Sequence, residues 1–257
     1  MTEITQDDVS LAAPQPKTQN SRTRNFRRAA GIALALLLAL LLFLAYIGVF
    51  GGNVHVVQEG RVYRSAQLTG VGIQSESARL AGHGLADVLE KYHIRTVINL
   101  RGKSEDANWY FAETAISRSH NAAHIDIPLS AVRMPPPESL RELLAAFDSA
   151  PYPIIYHCQA GADRTGLVSA IYAAIYEKEP LDEAESSQLT WKRGHFSWSK
   201  THPMDDFFDL YRKTGNGLPL REWILTKYPA LYDALPADLK KPASDMAAPS
   251  NPAPKGP

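Results

Sequence analysis

The sequence predicts an α/β fold with a central, mainly parallel sheet flanked by helices and preceded by one transmembrane helix. Three observations carry this. Over residues 53–235, short runs rich in Val, Ile and Tyr alternate with stretches of apolar residues at helical spacing, the pattern of strand–helix–strand units. One uncharged apolar run, Ala29 to Phe50, stands ahead of them. A short segment, His157-Cys158-Gln159-Ala160-Gly161-Ala162-Asp163-Arg164-Thr165-Gly166, leaves a buried apolar run and enters a helix.

Residues 1–28 are polar, contain Pro14 and Pro16, and are expected to form a disordered cytoplasmic tail. The run at 29–50 has neither charge nor proline. As a helix it would be ~33 Å long, enough to cross a hydrocarbon core of ~30 Å. Arg22, Arg24, Arg27 and Arg28 precede it, so the positive-inside rule leaves the N-terminus in the cytoplasm and the rest outside, periplasmic in a bacterium. A cleaved signal peptide would have an apolar core of only ~7–15 residues and a small-residue cleavage site. Leu44-Ala45-Tyr46-Ile47-Gly48 fits that poorly, which favours an uncleaved anchor. A single cysteine, with no intramolecular partner, suits an oxidising compartment.

Beyond the anchor, Val54–Val57 and Val62–Ser65 read as a hairpin turning at Glu59-Gly60. A helix at Leu85–Tyr92 leads into a strand at Thr96–Leu100, and a helix at Glu105–Arg118 into a strand at Ala123–Ile127. Pro137 opens a helix to Ala150, with Leu140, Leu143, Leu144 and Phe147 inward and Glu138, Arg141 and Glu142 outward. The strand Ile154–His157 follows, then helices at Thr165–Glu177, Leu181–Trp191, Met204–Lys213 and Leu220–Tyr228. Residues 236–257, rich in Pro, Ala, Lys and Ser, are expected to be a disordered tail. There is no internal repeat. With 27 basic and 27 acidic residues and no basic stripe among aromatics, composition argues against nucleic acid as a partner.

The segment at 157–166 carries the chemistry. A loop between a strand and a helix turns several N–H groups to one point at the positive end of the helix dipole, which makes an anion site. Cys158 at its start is the candidate nucleophile, since a helix N-terminus and a nearby cation lower a thiol's pKa from ~8.5 by several units. The N–H groups of Gln159, Ala160, Gly161 and Ala162, and on to Arg164, would bind phosphoryl oxygens, with Gly161 allowing the tight curl. Arg164 would hold two oxygens through its planar fork. Thr165 would donate to the thiolate, and His157 would brace the loop through backbone hydrogen bonds. Phosphate-ester hydrolysis through a phosphocysteine is the chemistry this implies. A sulfurtransferase loop usually has a shorter span than the five residues between Cys158 and Arg164.

His157–Gly166 resembles the H-C-x5-R-[ST] signature of the cysteine-based protein tyrosine and dual-specificity phosphatases. Val62-Tyr63-Arg64-Ser65-Ala66-Gln67 and Ile94-Arg95-Thr96-Val97-Ile98-Asn99-Leu100-Arg101 are similar to segments of the family's atypical bacterial and fungal branch. The resemblance covers about Asn53 to Tyr228. It implies a cysteine-phosphatase fold, a two-step reaction, and neither metal nor other cofactor. It also implies a general acid, for which two residues qualify. Asp163 is ahead, because relatives with "DRTG" use the loop aspartate; it could instead pair with a cation at the loop rim. Asp126 has a suitable distance from Cys158 but lies within the expected strand. Ala162 stands where lipid-phosphatase relatives often carry lysine, which weakens an inositol-phospholipid reading.

Arg64 and Arg101 are expected near the carboxyl edge of the sheet, either adding positive potential for a phosphate or making surface salt bridges. The segment Trp191-Lys192-Arg193-Gly194-His195-Phe196-Ser197-Trp198-Ser199-Lys200 would border the cleft, touch lipid headgroups, or pack its aromatics on the domain. His195 and His202 show no spacing suited to a metal. Together these features predict a membrane-anchored phosphatase acting on a phosphorylated protein. The alternatives are a phospholipid or inositol phosphate phosphatase and a non-catalytic phosphate-binding module.

Overall fold

A computed structural model describes residues 19–70, 76, 78, 79 and 82–240. The expected tails lie partly outside these, at 1–18 and 241–257. The chain forms two units, residues 1–45 and 46–257. Helix α1 spans Gln19–Phe50 and so begins earlier than the expected Ala29. No glycine or proline, the two strongest helix breakers, interrupts residues 19–28. Over Arg24–Leu42 the helix is long and apolar enough to cross a membrane by length and composition.

The second unit is built on a five-stranded sheet in the order β1-β2-β5-β3-β4. Its strands are β1 (His55–Gln58), β2 (Val62–Ser65), β3 (Thr96–Asn99), β4 (Ala123–Asp126) and β5 (Ile154–His157). The β1–β2 hairpin is antiparallel and the other three pairings are parallel, so the sheet is mixed with one antiparallel edge strand. Register aligns Ser65, His157, Asn99 and Asp126 in one row at the carboxyl edge. Ligands gather at that edge in open α/β sheets.

Helices cover both faces. Side chains alternate along each strand. Val62, Ile98, Ile154 and Tyr156 join a core with α4 (Pro137–Ser149), α5 (Asp163–Tyr172), α7 (Pro203–Thr214) and α8 (Leu220–Thr226). Tyr63, Val97 and Ile155 face the other way, onto α2 (Leu85–Lys91). In α4 the four expected apolar residues are all buried, each stabilising the fold by about 1.5–3 kcal/mol relative to exposure. Helix α5 is buried from Thr165 to Tyr172 and runs through the middle of the larger core.

Several boundaries differ from expectation. Helix α3 occupies Asn108–Ser119, starting after Glu105. Helix α5 starts at Asp163 instead of Thr165, so Asp163 and Arg164 sit in its first turn. Its last turn widens to a π-helix at Ala173–Glu177, closed by Lys178 at φ 63°. Helix α6 (Leu181–Gln188) ends before a 3₁₀ turn at Trp191–Arg193. The expected helix to Tyr228 breaks at Lys227 into α8 and α9 (Tyr228–Asp233), because Pro229 lacks an N–H and crowds the preceding turn. Order also extends past 235, with a 3₁₀ turn at Ala237–Leu239 and Arg133 Nε donating to the Asp238 carbonyl at 2.9 Å.

Candidate active site

The loop from β5 into α5 is shaped by what holds its carbonyls. Gln159 O accepts from the backbone N–H of Gln67 at 3.2 Å. The Asn53 side chain donates to Ala160 O at 3.0 Å and Gly161 O at 2.8 Å. The Arg64 guanidinium donates to Gly161 O at 2.8 Å and Ala162 O at 3.1 Å. All four carbonyls are thus engaged by residues far away in sequence. An unbranched loop whose carbonyls are pulled outward turns its N–H groups to the inside. Gly161 adopts φ +67°, and a Cβ there would sit 2.5 Å from the Ala66 backbone nitrogen, so only glycine fits.

Arg64 was expected near the carboxyl edge, adding positive potential for a phosphate or making a surface salt bridge. It is not at the surface, and its charge is felt at Cys158. The side chain is completely buried and bonds also to Ser169 Oγ, Gln188 O and Oε1, and Thr165 Oγ1, at 3.1–3.3 Å. Burial pushes its pKa down, to about 10, which still leaves it a cation at neutral pH. Arg64 is a clamp beneath the loop. Asn53 is oriented in turn by His55, whose Nε2 lies 2.7 Å from Asn53 Oδ1. Burial and the charges of Arg193 and Arg64 lower His55 to about 4, so its ring is neutral and donates.

Inside this frame lies Cys158, 2% exposed. Burial pushes the thiol pKa up, but the Arg164 charge and the N–H groups of Thr165 and Gly161 outweigh it, and the net direction is down. Thr165 Oγ1 is 3.9 Å from Cys158 Sγ, with Ala162 O also in range at 3.3 Å. Arg164 donates to Leu129 O at 3.3 Å through Nη1. Its Nε is buried with no partner among the described residues. A thiolate below a ring of N–H groups and beside a guanidinium can hold a tetrahedral oxyanion and attack its central atom.

His157 was expected to brace the loop through backbone hydrogen bonds, but its main partner is a side chain. Its Nε2 meets Glu113 Oε1 at 2.9 Å, while Nδ1 has only a 3.3 Å contact with Cys158 O. Glu113, on α3, is 1% exposed and also accepts from His124 at 2.9 Å. Burial opposes its charge, yet the two histidines hold it down at about 2. His157 is correspondingly raised, its burial overcome by Glu113.

The two aspartates differ in their surroundings. Asp126 has both oxygens engaged: Oδ1 accepts from Asn99 at 2.8 Å and Oδ2 from the Tyr110 hydroxyl at 2.5 Å. Asp163 bonds through Oδ1 to His195 Nδ1 at 2.8 Å. Arg101 lies at the site too, its guanidinium 4.1 Å above the Trp109 ring and bonded to Gln67. Burial lowers its pKa, and the charge of Arg164 lowers it further. The aromatic segment divides. Trp191 and Trp198 stay exposed, at 66% and 84%, while Arg193 O accepts from Asn53 at 3.0 Å and His195 turns to the loop. Its aromatics are therefore not packed on the domain.

Sequence reasoning missed Asn53, Glu113 and Asp205 and gave His195 no role. Glu113 alone left a signal: an acid at helical spacing from Tyr110, on the face of α3 that is buried.

A search of curated proteins finds no match. Among solved structures, the chain is similar to TpbA of P. aeruginosa in complex with pTyr, at 19% identity and TM-score 0.41, covering 65% of this chain and 92% of that one. It is similar also to the core catalytic domain of a PP-IP phosphatase from S. cerevisiae in complex with citrate, at 15% identity and TM-score 0.43, covering 65% and 94%. A family model matches residues 21–180, more than half of the chain, and on that match the protein belongs to the tyrosine phosphatase family.

Proposed function

We propose that this protein is a membrane-anchored phosphatase that hydrolyses phosphate monoesters, phosphotyrosine in proteins above all, through a phosphocysteine. The observation that carries the reading is the outward-held carbonyl set around a thiol whose pKa Arg164 and two N–H groups depress. Cys158 Sγ attacks phosphorus and forms the S–P bond as the ester P–O bond breaks. Arg164 and the loop N–H groups take up charge on the transferring phosphoryl group. Asp163 gives its proton to the leaving oxygen. Water then attacks phosphorus, the S–P bond breaks to regenerate the thiolate, and the water proton returns to Asp163. Asp126 is the weaker candidate because Asn99 and Tyr110 occupy its oxygens. Arg101 adds positive potential for the bound ester.

Helix α1 serves as the anchor, with its arginines on the cytoplasmic side and the catalytic unit across the membrane. A second reading, a phospholipid phosphatase, draws on one observation: Asn53, which binds the loop, comes three positions after α1 ends at Phe50. The test is phosphate release by the full-length protein in detergent with EDTA. A phosphotyrosine peptide and phosphatidylglycerophosphate are offered side by side, with Cys158→Ser as control. Turnover of the peptide, abolished in Cys158→Ser, is expected. Preference for the lipid would shift the assignment to a phospholipid phosphatase, and turnover of neither by folded protein would leave a phosphate-binding module.

A further inference from the structure

Behind the proposed acid stands a buried histidine that the reaction scheme above does not use. His195, 1% exposed at its side chain, lies between two carboxylates: Nδ1 is 2.8 Å from Asp163 Oδ1 and Nε2 is 3.0 Å from Asp205 Oδ2. Asp163 is the first residue of α5 and Asp205 sits in the first turn of α7, so the ring joins the starts of two helices. Nitrogens that both face carboxylates both carry protons, and the ring is raised to about 9, its burial overcome by the two aspartates. Asp205 fixes the ring from behind, so Nδ1–H has one direction in which to point.

We infer that His195 is a positioning residue for Asp163, fixing the carboxyl so that Oδ2 alone is presented to the leaving oxygen. The inference rests on Asp163 being the acid. Rotation of a carboxyl about its last torsion is broad and roughly two-fold, so an untethered Asp163 would spread over orientations. With Oδ1 held by His195, Oδ2 has no hydrogen-bond partner among the described residues. The Oδ2 proton passes to the leaving oxygen as the P–O bond breaks. The resulting carboxylate stays bonded to Nδ1–H, and Oδ2 recovers a proton from the attacking water.

Leaving-group dependence separates this role from simple packing. Alkyl phosphates need the proton, whereas p-nitrophenyl phosphate expels a weakly basic phenolate and hardly needs it. Full-length protein in detergent, compared as wild type, His195→Ala, His195→Asn and Asp205→Asn, is assayed for kcat on an alkyl phosphate and on p-nitrophenyl phosphate. His195→Ala is expected to lose about 10-fold more on the alkyl ester, a fraction of what a general acid supplies. His195→Asn, whose amide can donate to Oδ1 from near the Nδ1 position, should recover most of that difference, and Asp205→Asn should show a smaller loss with the same selectivity. Equal losses on both esters, or no loss, would overturn the inference. If His195→Ala fails to fold, the Asn variants carry the same comparison. Cys158→Ser and Asp163→Asn test the underlying reading separately: retained turnover in the first removes the phosphocysteine, and equal losses on both esters in the second remove Asp163 as acid.

Discussion

Replacing Glu113 by glutamine tests how the catalytic loop is braced. The carboxylate is 1% exposed and takes hydrogen bonds from His157 and His124, both at 2.9 Å. Its pKa falls from the ordinary 4.5 to about 2, a difference worth about 3 kcal/mol at 1.36 kcal/mol per unit. The raised pKa of His157 expresses the same ion pair, so that energy is counted once. A carboxylate with a depressed folded pKa contributes stability above 4.5 and loses it as pH falls towards about 2. His157 is raised above 6.5, so its share is complete below that pH and is lost as pH climbs through the higher folded value. Wild type should therefore exceed Glu113→Gln most between pH 4.5 and 6.5, with the gap narrowing on either side. For a unit of this size about 3 kcal/mol corresponds to roughly 6–12 °C in Tm. Scanning calorimetry on both proteins in steps from acid to alkaline pH measures the gap directly. A gap smaller than about 1 kcal/mol in that window, or one independent of pH, would refute the ion-pair account.

Two further outcomes are expected. Arg64→Met should leave the fold measurable by circular dichroism but lower kcat/KM on p-nitrophenyl phosphate by about 100-fold, the cost of a loop displaced by ~1 Å. Arg64→Lys should recover little, since one ammonium cannot span Gly161 O, Ala162 O and Gln188 at once. The rate of Cys158 alkylation by iodoacetamide should rise with a midpoint below that of a free thiol, and Arg164→Met should move that midpoint up. Identical midpoints in the two proteins would remove Arg164 as the cause.

The chemistry of the loop was legible because it is local. Cys158, Gly161, Arg164 and Thr165 stand within eight residues of one another, and their offsets alone specify a cradle. The sheet was legible through its short runs rich in Val, Ile and Tyr, and α4 through the spacing of Leu140, Leu143, Leu144 and Phe147. Boundaries failed where tertiary context or one proline decided them, as at Pro229 between α8 and α9. The clamping role of Arg64 was not legible, because nothing in Val62–Gln67 says that its guanidinium runs under a loop 97 positions away. His195 sits in a segment whose exposed tryptophans dominate the reading, and its two partners come from separate helices.

These long-range contacts have one physical purpose. A loop that collects N–H groups around an anion leaves its carbonyls on the outside, inside a folded unit where water does not reach them all. Each buried carbonyl left bare would cost about 1–3 kcal/mol, and the loop would relax by turning some of them inward, against the phosphate. Asn53, Gln67 and Arg64 prevent that by supplying donors on the outer side. Arg64 has a second effect. It lies completely buried with no acidic partner among its hydrogen bonds, so its positive charge adds to the field that favours the Cys158 thiolate. The donors that shape the loop are therefore not interchangeable: a neutral donor in place of Arg64 would keep the curl and give up part of the potential. A glutamine there, long enough to reach one carbonyl, should retain more structure than Arg64→Met yet still raise the midpoint of Cys158 alkylation. If that midpoint stayed at the wild-type value, the role of Arg64 would be geometric alone.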